Sequence, residues 1–191
     1  IGNPDLKPES GYTYEFGWKK IGTRDSLKIA LFHMDYTNYT SWKNVGGTYI
    51  PYNAEFRNTG LEIEYARALK HGWSYNLGAS FSNPENKEPG TNWSLYSART
   101  QLTAGLNYKK GKWNGSIAAN YLAGRQNSTS EPDGIPASLI ANLTLGYDLT
   151  PTTHLKLRVE NLLDRRDIVS NGSTSYFAQE RSFYIGVTQD F

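Results

Sequence analysis

The chain has 191 residues, no cysteine and a formal net charge of +2 at pH 7. The length fits one domain or one piece of a larger one, and the lack of cysteine excludes a disulfide scaffold, a thiolate zinc site and a cysteine nucleophile. The small charge gives no electrostatic case for binding nucleic acid. A mean hydropathy of −0.62 excludes a bundle of membrane helices.

Apolar and polar residues alternate with a period of two along most of the chain, which predicts strands and no helix. The second strand changes phase between Leu31 and Phe32, and this change predicts a β-bulge within it. In chain order, the nine predicted strands are Tyr12–Trp18, Leu27–Tyr39, Leu61–Leu69, Trp73–Phe81, Leu102–Tyr108, Trp113–Tyr121, Leu139–Tyr147, Leu155–Val159 and Phe183–Val187.

Short and long connections alternate strictly between these strands. The predicted short turns are Ile21–Arg24, Lys70–Gly72, Lys110–Gly111 and Thr150–Thr153. The predicted long connections are Thr40–Asn53, Asn83–Tyr96, Gln126–Pro136 and Asp164–Tyr176, with Tyr49–Tyr52 as a possible tenth short strand. Because successive connections of an antiparallel meander lie at opposite ends, one end carries tight turns and the other long loops, as in outer-membrane barrels.

The chemistry of the two predicted faces also indicates a barrel in a lipid bilayer. One face is rich in small polar residues, which suit a wet interior better than a packed core. The other face is aliphatic in the middle of the strands and aromatic near both ends, as expected at two membrane interfaces. Arg67 is an exception on the apolar face, but it lies near a short turn where its side chain can reach the headgroups.

The odd number of strands predicts that the chain is part of a longer barrel. The first and last of nine strands run in the same direction, whereas bacterial single-chain barrels close with antiparallel pairs. Alone, such a segment would expose two sheet edges and a lipid-facing surface, which predicts self-association.

Four stretches resemble the C-terminal barrel region of TonB-dependent outer-membrane receptors. They are Asn3–Glu9, similar to an NPxLxPE entry into a barrel strand; Asn58–Glu64, similar to NxGxExE; Asn161–Asp167, similar to NLFDxxY; and Arg181–Phe191, similar to a terminal GRxF strand. The chain departs from these patterns at Leu163, Asp167, Glu180 and Gln189.

The resemblance implies an all-β, antiparallel up-and-down transmembrane β-barrel. Residues 1–191 would be its C-terminal portion, about nine strands of a barrel of about 22. The plug domain and the N-terminal strands would lie outside this sequence. It further implies energy-coupled uptake of a scarce ligand across the outer membrane of a Gram-negative cell, with a ferric siderophore ahead of haem or cobalamin. The TonB system would act only through the missing N-terminal part.

Ligand contacts are expected from the long loops and the upper wall, where aromatic and cationic side chains suit ring-bearing, anionic iron chelates. The candidates are Trp42, Tyr49, Trp93, Tyr96, Arg125 and Tyr176. Packing within the loops is the competing interpretation for each of them. The sequence predicts no cofactor, catalytic residue or metal site, because His33, His71 and His154 lie far apart without a ligand-like spacing.

Two other functional classes remain open at this stage. A passive porin or an autotransporter-type barrel would share the strand pattern and the two faces. A soluble lipocalin-like carrier would instead pack its apolar face inward, so that Leu143, Leu145 and Leu157 would meet in a dry centre.

Overall fold

The computed structural model describes residues 3–126, 134–171 and 175–191. All paired strands in these ranges are antiparallel. In chain order the strands are β1 (Ser10–Ile21), β2 (Asp25–Val45), β3 (Thr48–Ala68), β4 (Trp73–Ser82), β5 (Glu85–Lys87), β6 (Ser94–Leu95), β7 (Thr100–Lys110), β8 (Trp113–Ala123), β9 (Ser138–Thr150), β10 (Thr153–Glu160), β11 (Ile168–Asn171), β12 (Ser175–Phe177) and β13 (Ser182–Gln189).

Nine of these strands form one continuous meander in the order β1-β2-β3-β4-β7-β8-β9-β10-β13. They are the nine strands predicted from the sequence, which confirms the all-β, antiparallel fold. The short strands β5 and β6 extend the same sheet beside β3, whereas β11 and β12 form a separate two-stranded sheet. Among the described residues β1 and β13 each have one neighbour, so the sheet is open.

The four predicted tight turns are confirmed, but one of the predicted long connections is wrong. Tight turns join β1 to β2, β3 to β4, β7 to β8 and β9 to β10. The stretch Thr40–Asn53 is a hairpin rather than a loop, because β2 and β3 continue to a turn at Gly46 and Gly47, both with positive φ. Only glycine adopts this conformation without strain, which is why a two-residue turn forms here. Part of Gln126–Pro136 and of Asp164–Tyr176 lies outside the described residues.

The bulge predicted at the change of phase between Leu31 and Phe32 is wrong, because the only irregularity of β2 lies further along the strand. Pairing of β2 with β3 is uninterrupted from Asp25 to Tyr36 and shifts only between Tyr36 and Tyr39. Phe32, opposite Gly60 and Glu15, therefore lies on the polar face. The change of phase in the sequence therefore reflects large apolar side chains on the polar face, and not a break in the pairing of the strands.

The apolar face of the meander has no protein layer packed on it in the described residues. Leu143 pairs with Val159 and Leu145 with Leu157, so these side chains lie side by side on the sheet rather than in a closed centre. Leu145 is 39% exposed. The buried apolar residues of the described ranges are Tyr52, Ala54, Ala141 and Val159. A carrier with a dry interior would bury most of this face.

Aromatic pairs line the short-turn end of the apolar face. The ring centroids of Trp73 and Tyr108 are 4.7 Å apart, and those of Trp113 and Tyr147 are 4.5 Å apart. These pairs belong to the belt predicted near the tight turns. The described residues include no helix with the length and apolar composition needed to cross a membrane.

Candidate functional site

We call the aliphatic middle of the strands the apolar band. The sheet continues beyond this band at the long-loop end, through the outer parts of β2 and β3 with β5 and β6, and we call this continuation the extended wall. On the apolar face of β3, Leu61 is preceded in the chain by Thr59, Arg57 and Glu55. Strand β5 keeps the register of β4, because Gly60 pairs with Ser82 and Arg57 with Glu85. The extended wall therefore has the same two faces as the band below it, and we keep the terms polar face and apolar-side face for them.

Four rings form a cluster on the polar face of this extended wall, which we call the aromatic cluster (Tyr36, Tyr39, Phe56 and Tyr96). Phe56 lies at its centre, 6.4 Å from Tyr36, 6.0 Å from Tyr39 and 5.4 Å from Tyr96 between ring centroids. The hydroxyl oxygens of Tyr39 and Tyr96 are 3.4 Å apart. Such edge and tilted contacts stabilise aromatic pairs beyond simple burial.

The bulge in β2 places Tyr36 and Tyr39 on the same face. Two residues separate them, Thr37 and Asn38, and Asn38 has a φ of 58°. Asn53 stabilises this conformation, since its Nδ2 donates to the carbonyl of Asn38 at 2.8 Å. Asparagine tolerates the left-handed region better than most residues, so the sequence supports the bulge at this position.

The segment that precedes β1 is bound to the back of this bulge. Asn53 Oδ1 accepts from the backbone N–H of Lys7 at 2.8 Å, and Asn53 Nδ2 donates to the Lys7 carbonyl at 3.0 Å. The carboxylate of Glu9 accepts from the backbone N–H of Thr40 at 2.6 Å. The Asn3–Glu9 motif therefore has a structural role here, because it fixes the wall that carries the aromatic cluster.

The phenols of Tyr39 and Tyr52 are held in their neutral form at pH 7. The hydrogen bond with Tyr96, followed by burial, raises the pKa of Tyr39 above its usual value of 10.0. Burial is the main cause that raises the pKa of Tyr52, whose ring lies 5.6 Å from the Lys43 ammonium. Neutral phenols can stack on a ligand and donate hydrogen bonds to it, but they do not offer phenolate oxygens to a ferric ion.

The apolar-side face of the same wall carries charges. The guanidinium of Arg57 lies 4.1 Å from the ring centroid of Trp93, and its Nη2 is 2.7 Å from Glu85 Oε2. Lys87 Nζ is 3.2 Å from Glu55 Oε1. Arg57 and Phe56 are neighbours in β3, so these contacts lie on the opposite side of the sheet from the aromatic cluster.

The structure does not bring the six predicted site residues together. Tyr96 belongs to the aromatic cluster, whereas Trp93 packs on Arg57 across the sheet. Trp42 and Tyr49 are exposed on the apolar-side face of the β2–β3 hairpin, and Tyr176 is exposed in the separate β11–β12 sheet. As contacts of a ligand, all six stay predictions.

Arg125 is buried, and its contacts are with other parts of the protein. It is 9% exposed, pairs with Ile135 across the start of a long connection, and donates from Nη2 to the carbonyl of Pro136 at 2.6 Å. Burial lowers the pKa of Arg125, and the nearby carboxylate of Asp167 opposes that shift. This arrangement closes the base of the connection and leaves little of the guanidinium for a ligand.

A second structural motif, at Asn161–Asp167, ends β10. Asn161 Nδ2 donates to the carbonyls of Arg165 and Gln179, both at 2.8 Å, and its Oδ1 accepts from the Arg165 N–H at 3.1 Å. Asp167, where the family pattern has tyrosine, accepts from the Leu139 N–H at 2.7 Å. Asp167 thus links the loop to β9.

Three members of the aromatic cluster, Tyr36, Tyr39 and Phe56, are absent from the sequence-based candidates. The sequence signal in β2 was the change of phase at Phe32. From that residue to Tyr36, the large apolar side chains fall on the positions that face the polar side of the sheet. The sequence could not show that a bulge at Asn38 would return Tyr39 to that face. No group of three or more His, Cys, Asp or Glu that could hold a metal ion occurs in the described part of the chain.

Comparisons with known proteins agree with this architecture. A family model described as "TonB dependent receptor-like, beta-barrel" matches residues 1–162. The chain is 24% identical over 198 residues to the vitamin B12 transporter BtuB of Vibrio vulnificus (strain YJ016), covering 100% of this chain and 31% of that protein. BtuB of Photobacterium profundum is also 24% identical, with 100% and 32% covered. The chain therefore spans about a third of the length of these curated relatives.

Solved receptor structures share the fold. The ferric yersiniabactin uptake receptor FyuA from Yersinia pestis matches with a TM-score of 0.79 at 19% identity, over 96% of this chain and 30% of that one. The ferric-catecholate import receptor Fiu from E. coli K12 matches with a TM-score of 0.75 at 24% identity, over 99% and 29%. Together with the match over residues 1–162, the antiparallel meander shows that the chain belongs to the family of TonB-dependent receptor β-barrels.

Proposed function

We propose that the chain is part of the wall of an outer-membrane receptor that binds a scarce ligand outside the cell and admits it with energy from the TonB system. Energy coupling would reside in parts of the protein beyond this chain. The role is binding and passage without covalent chemistry. The family match supports this proposal over a passive porin or a soluble carrier.

The ligand we propose is a ferric siderophore with aromatic rings. The observation that carries this choice is the aromatic cluster, which presents three phenols and Phe56 on the polar face above the apolar band. Stacking and phenolic hydrogen bonds suit a planar chelating ring better than a small hydrophilic solute. The shared fold with Fiu, named for ferric catecholate, and with FyuA, named for ferric yersiniabactin, supports the same class.

Cobalamin is the second candidate. Both curated relatives described above are named vitamin B12 transporters, and each aligns with the whole of this chain. The corrin is also a large ring with apolar edges, so the aromatic cluster alone does not separate it from an iron chelate.

Calorimetric titration of the full-length receptor in detergent separates these ligands. The probes are a ferric tris-catecholate, haemin and cyanocobalamin. We expect saturable binding of the ferric tris-catecholate, weakened in a Phe56→Ala variant. Binding of cyanocobalamin alone would replace the siderophore proposal with the second candidate. Uptake that persists undiminished in cells lacking the TonB system would favour the passive porin.

A further inference from the structure

The apolar face has a groove at its short-turn end, which we call the girdle groove. It has a volume of about 200 Å³, and Gly115 forms its floor. Its walls include Trp73, Tyr108, Trp113, Ile117 and Leu145.

The girdle groove exists because a glycine interrupts a row of large side chains across the sheet. Gly115 of β8 pairs with Tyr108 of β7 on one side and with Leu145 of β9 on the other. A Cβ at Gly115 would lie 3.0 Å from Leu145 Cδ2, so the leucine leans over the position that a side chain would fill. The backbone at Gly115 has no positive φ. Its missing side chain therefore serves the shape of the surface rather than the conformation of the strand.

Several lysines lie in or beside the tight turns at this end of the sheet. Lys110 pairs with Trp113 and shares the face of Tyr108, so it lies on the apolar face at the mouth of the groove. The turn that contains Lys70 packs against the next one, because the Lys109 N–H donates to the Gly72 carbonyl at 2.8 Å. Lys112 adds a further ammonium, which donates to the Leu149 carbonyl at 3.0 Å.

Lys70, Lys110 and Lys112 form no ion pair with a carboxylate within the described ranges. The carboxylate of Asp148, in the adjacent strand β9, instead contacts His154 at 2.7 Å. The mouth of the girdle groove therefore carries uncompensated positive charge beside a predominantly apolar cleft.

We propose that the girdle groove binds one acyl chain of an anionic glycerophospholipid whose phosphate lies against Lys110. The apolar cleft takes the chain, the two tryptophans lie at the depth of the glycerol backbone, and the lysines complement the headgroup. In this barrel class the tight turns face the periplasm, so the lipid belongs to the inner leaflet. This inference rests on the proposed membrane location and is independent of the transported ligand.

The test is native mass spectrometry of the full-length receptor, released from detergent after incubation with equal amounts of phosphatidylglycerol and phosphatidylcholine. We expect one phosphatidylglycerol to be retained in preference to phosphatidylcholine. The Lys110→Gln variant should retain about fivefold less phosphatidylglycerol, from the loss of one cation near an anionic headgroup. Lys20→Gln is the matched control, because Lys20 also lies on the apolar face at the short-turn end but far from the groove.

Two further variants test the cleft itself. Gly115→Ala pushes Leu145 into the groove, and Ile117→Phe fills it from the lipid side, where a larger ring has room even if the alanine variant folds poorly. Both should lose the retained lipid. Equal retention of the two lipids, or undiminished retention in both cleft variants, would overturn the proposal while leaving the membrane location intact. If no acyl lipid associated and spin labels at Leu157 were shielded from lipid, both the lipid site and the membrane location would be overturned.

Discussion

The band of the sheet near the tight turns and the extended wall above it follow the same period of two, yet different interactions hold them. In the band, backbone ladders join the strands and the apolar face has no protein partner among the described residues. In the extended wall both faces have specific contacts, with the aromatic cluster on one side and the Arg57–Glu85 ion pair on the other. The stability of the band therefore depends on the medium that covers its apolar face, whereas that of the extended wall depends on particular side chains.

A charge placed on the apolar face of the band should have the largest effect. Leu143 lies between Ile117 and Val159 on the apolar face. We expect Leu143→Arg to lower the free energy of unfolding in lipid vesicles by about 2–4 kcal/mol, the cost of arginine near the bilayer midplane. Urea titration of the full-length receptor measures this change.

The neighbouring position supplies the control. Thr144 lies on the polar face, opposite Ser116 and Arg158, so Thr144→Arg should change the free energy of unfolding by less than about 1 kcal/mol. Equal effects of the two variants would mean that the apolar face does not meet lipid.

A second prediction concerns the motif that ends β10. Asn161 makes three side-chain hydrogen bonds and has a φ of 47°. Asn161→Ala removes the bonds and keeps a conformation that alanine tolerates less well, so local opening should become easier by about 2–3 kcal/mol. Hydrogen exchange at the Arg165 amide measures it. Asn107→Ala, which removes one exposed hydrogen bond to Asn76, should leave that amide unchanged.

A third prediction concerns the two faces of the extended wall. Phe56 and Arg57 are consecutive, but they lie on opposite sides of the sheet. Phe56→Ala should weaken binding of the ferric tris-catecholate by about 1 kcal/mol, which is about fivefold in affinity. Arg57→Ala should leave the affinity unchanged. A larger loss of affinity in Arg57→Ala than in Phe56→Ala would place the ligand on the face of the sheet that carries Trp93.

Sequence reasoning succeeded where one local pattern decides the structure. The alternation through Leu139–Tyr147 and the tight turn at Lys110–Gly111 fix strands and turns without help from distant residues. It failed at Thr40–Asn53, where polar residues hid a hairpin whose pairing depends on Gly46 and Gly47. It also missed most of the aromatic cluster, because Tyr36 meets Phe56 through the pairing of β2 with β3, and Tyr39 joins them only through the bulge at Asn38. Such long-range pairings leave no periodic signal.

The smallest expected effect concerns pH at the link between the loop and β9. The Arg165 hydrogen bond is the main cause that lowers the pKa of Asp167; the Leu139 N–H adds to it, and burial opposes it. Because the folded pKa lies below the unfolded value of about 3.9, this stabilisation is complete above about pH 4 and is lost as the pH falls through the folded pKa. Exchange of the Leu139 amide, corrected for its intrinsic rate, should accelerate only in that acidic range. Asp167→Asn can still accept from Leu139 but does not titrate, so its corrected rate should not change with pH. An identical acceleration in the variant would assign the effect to another carboxylate and remove Asp167 from the link.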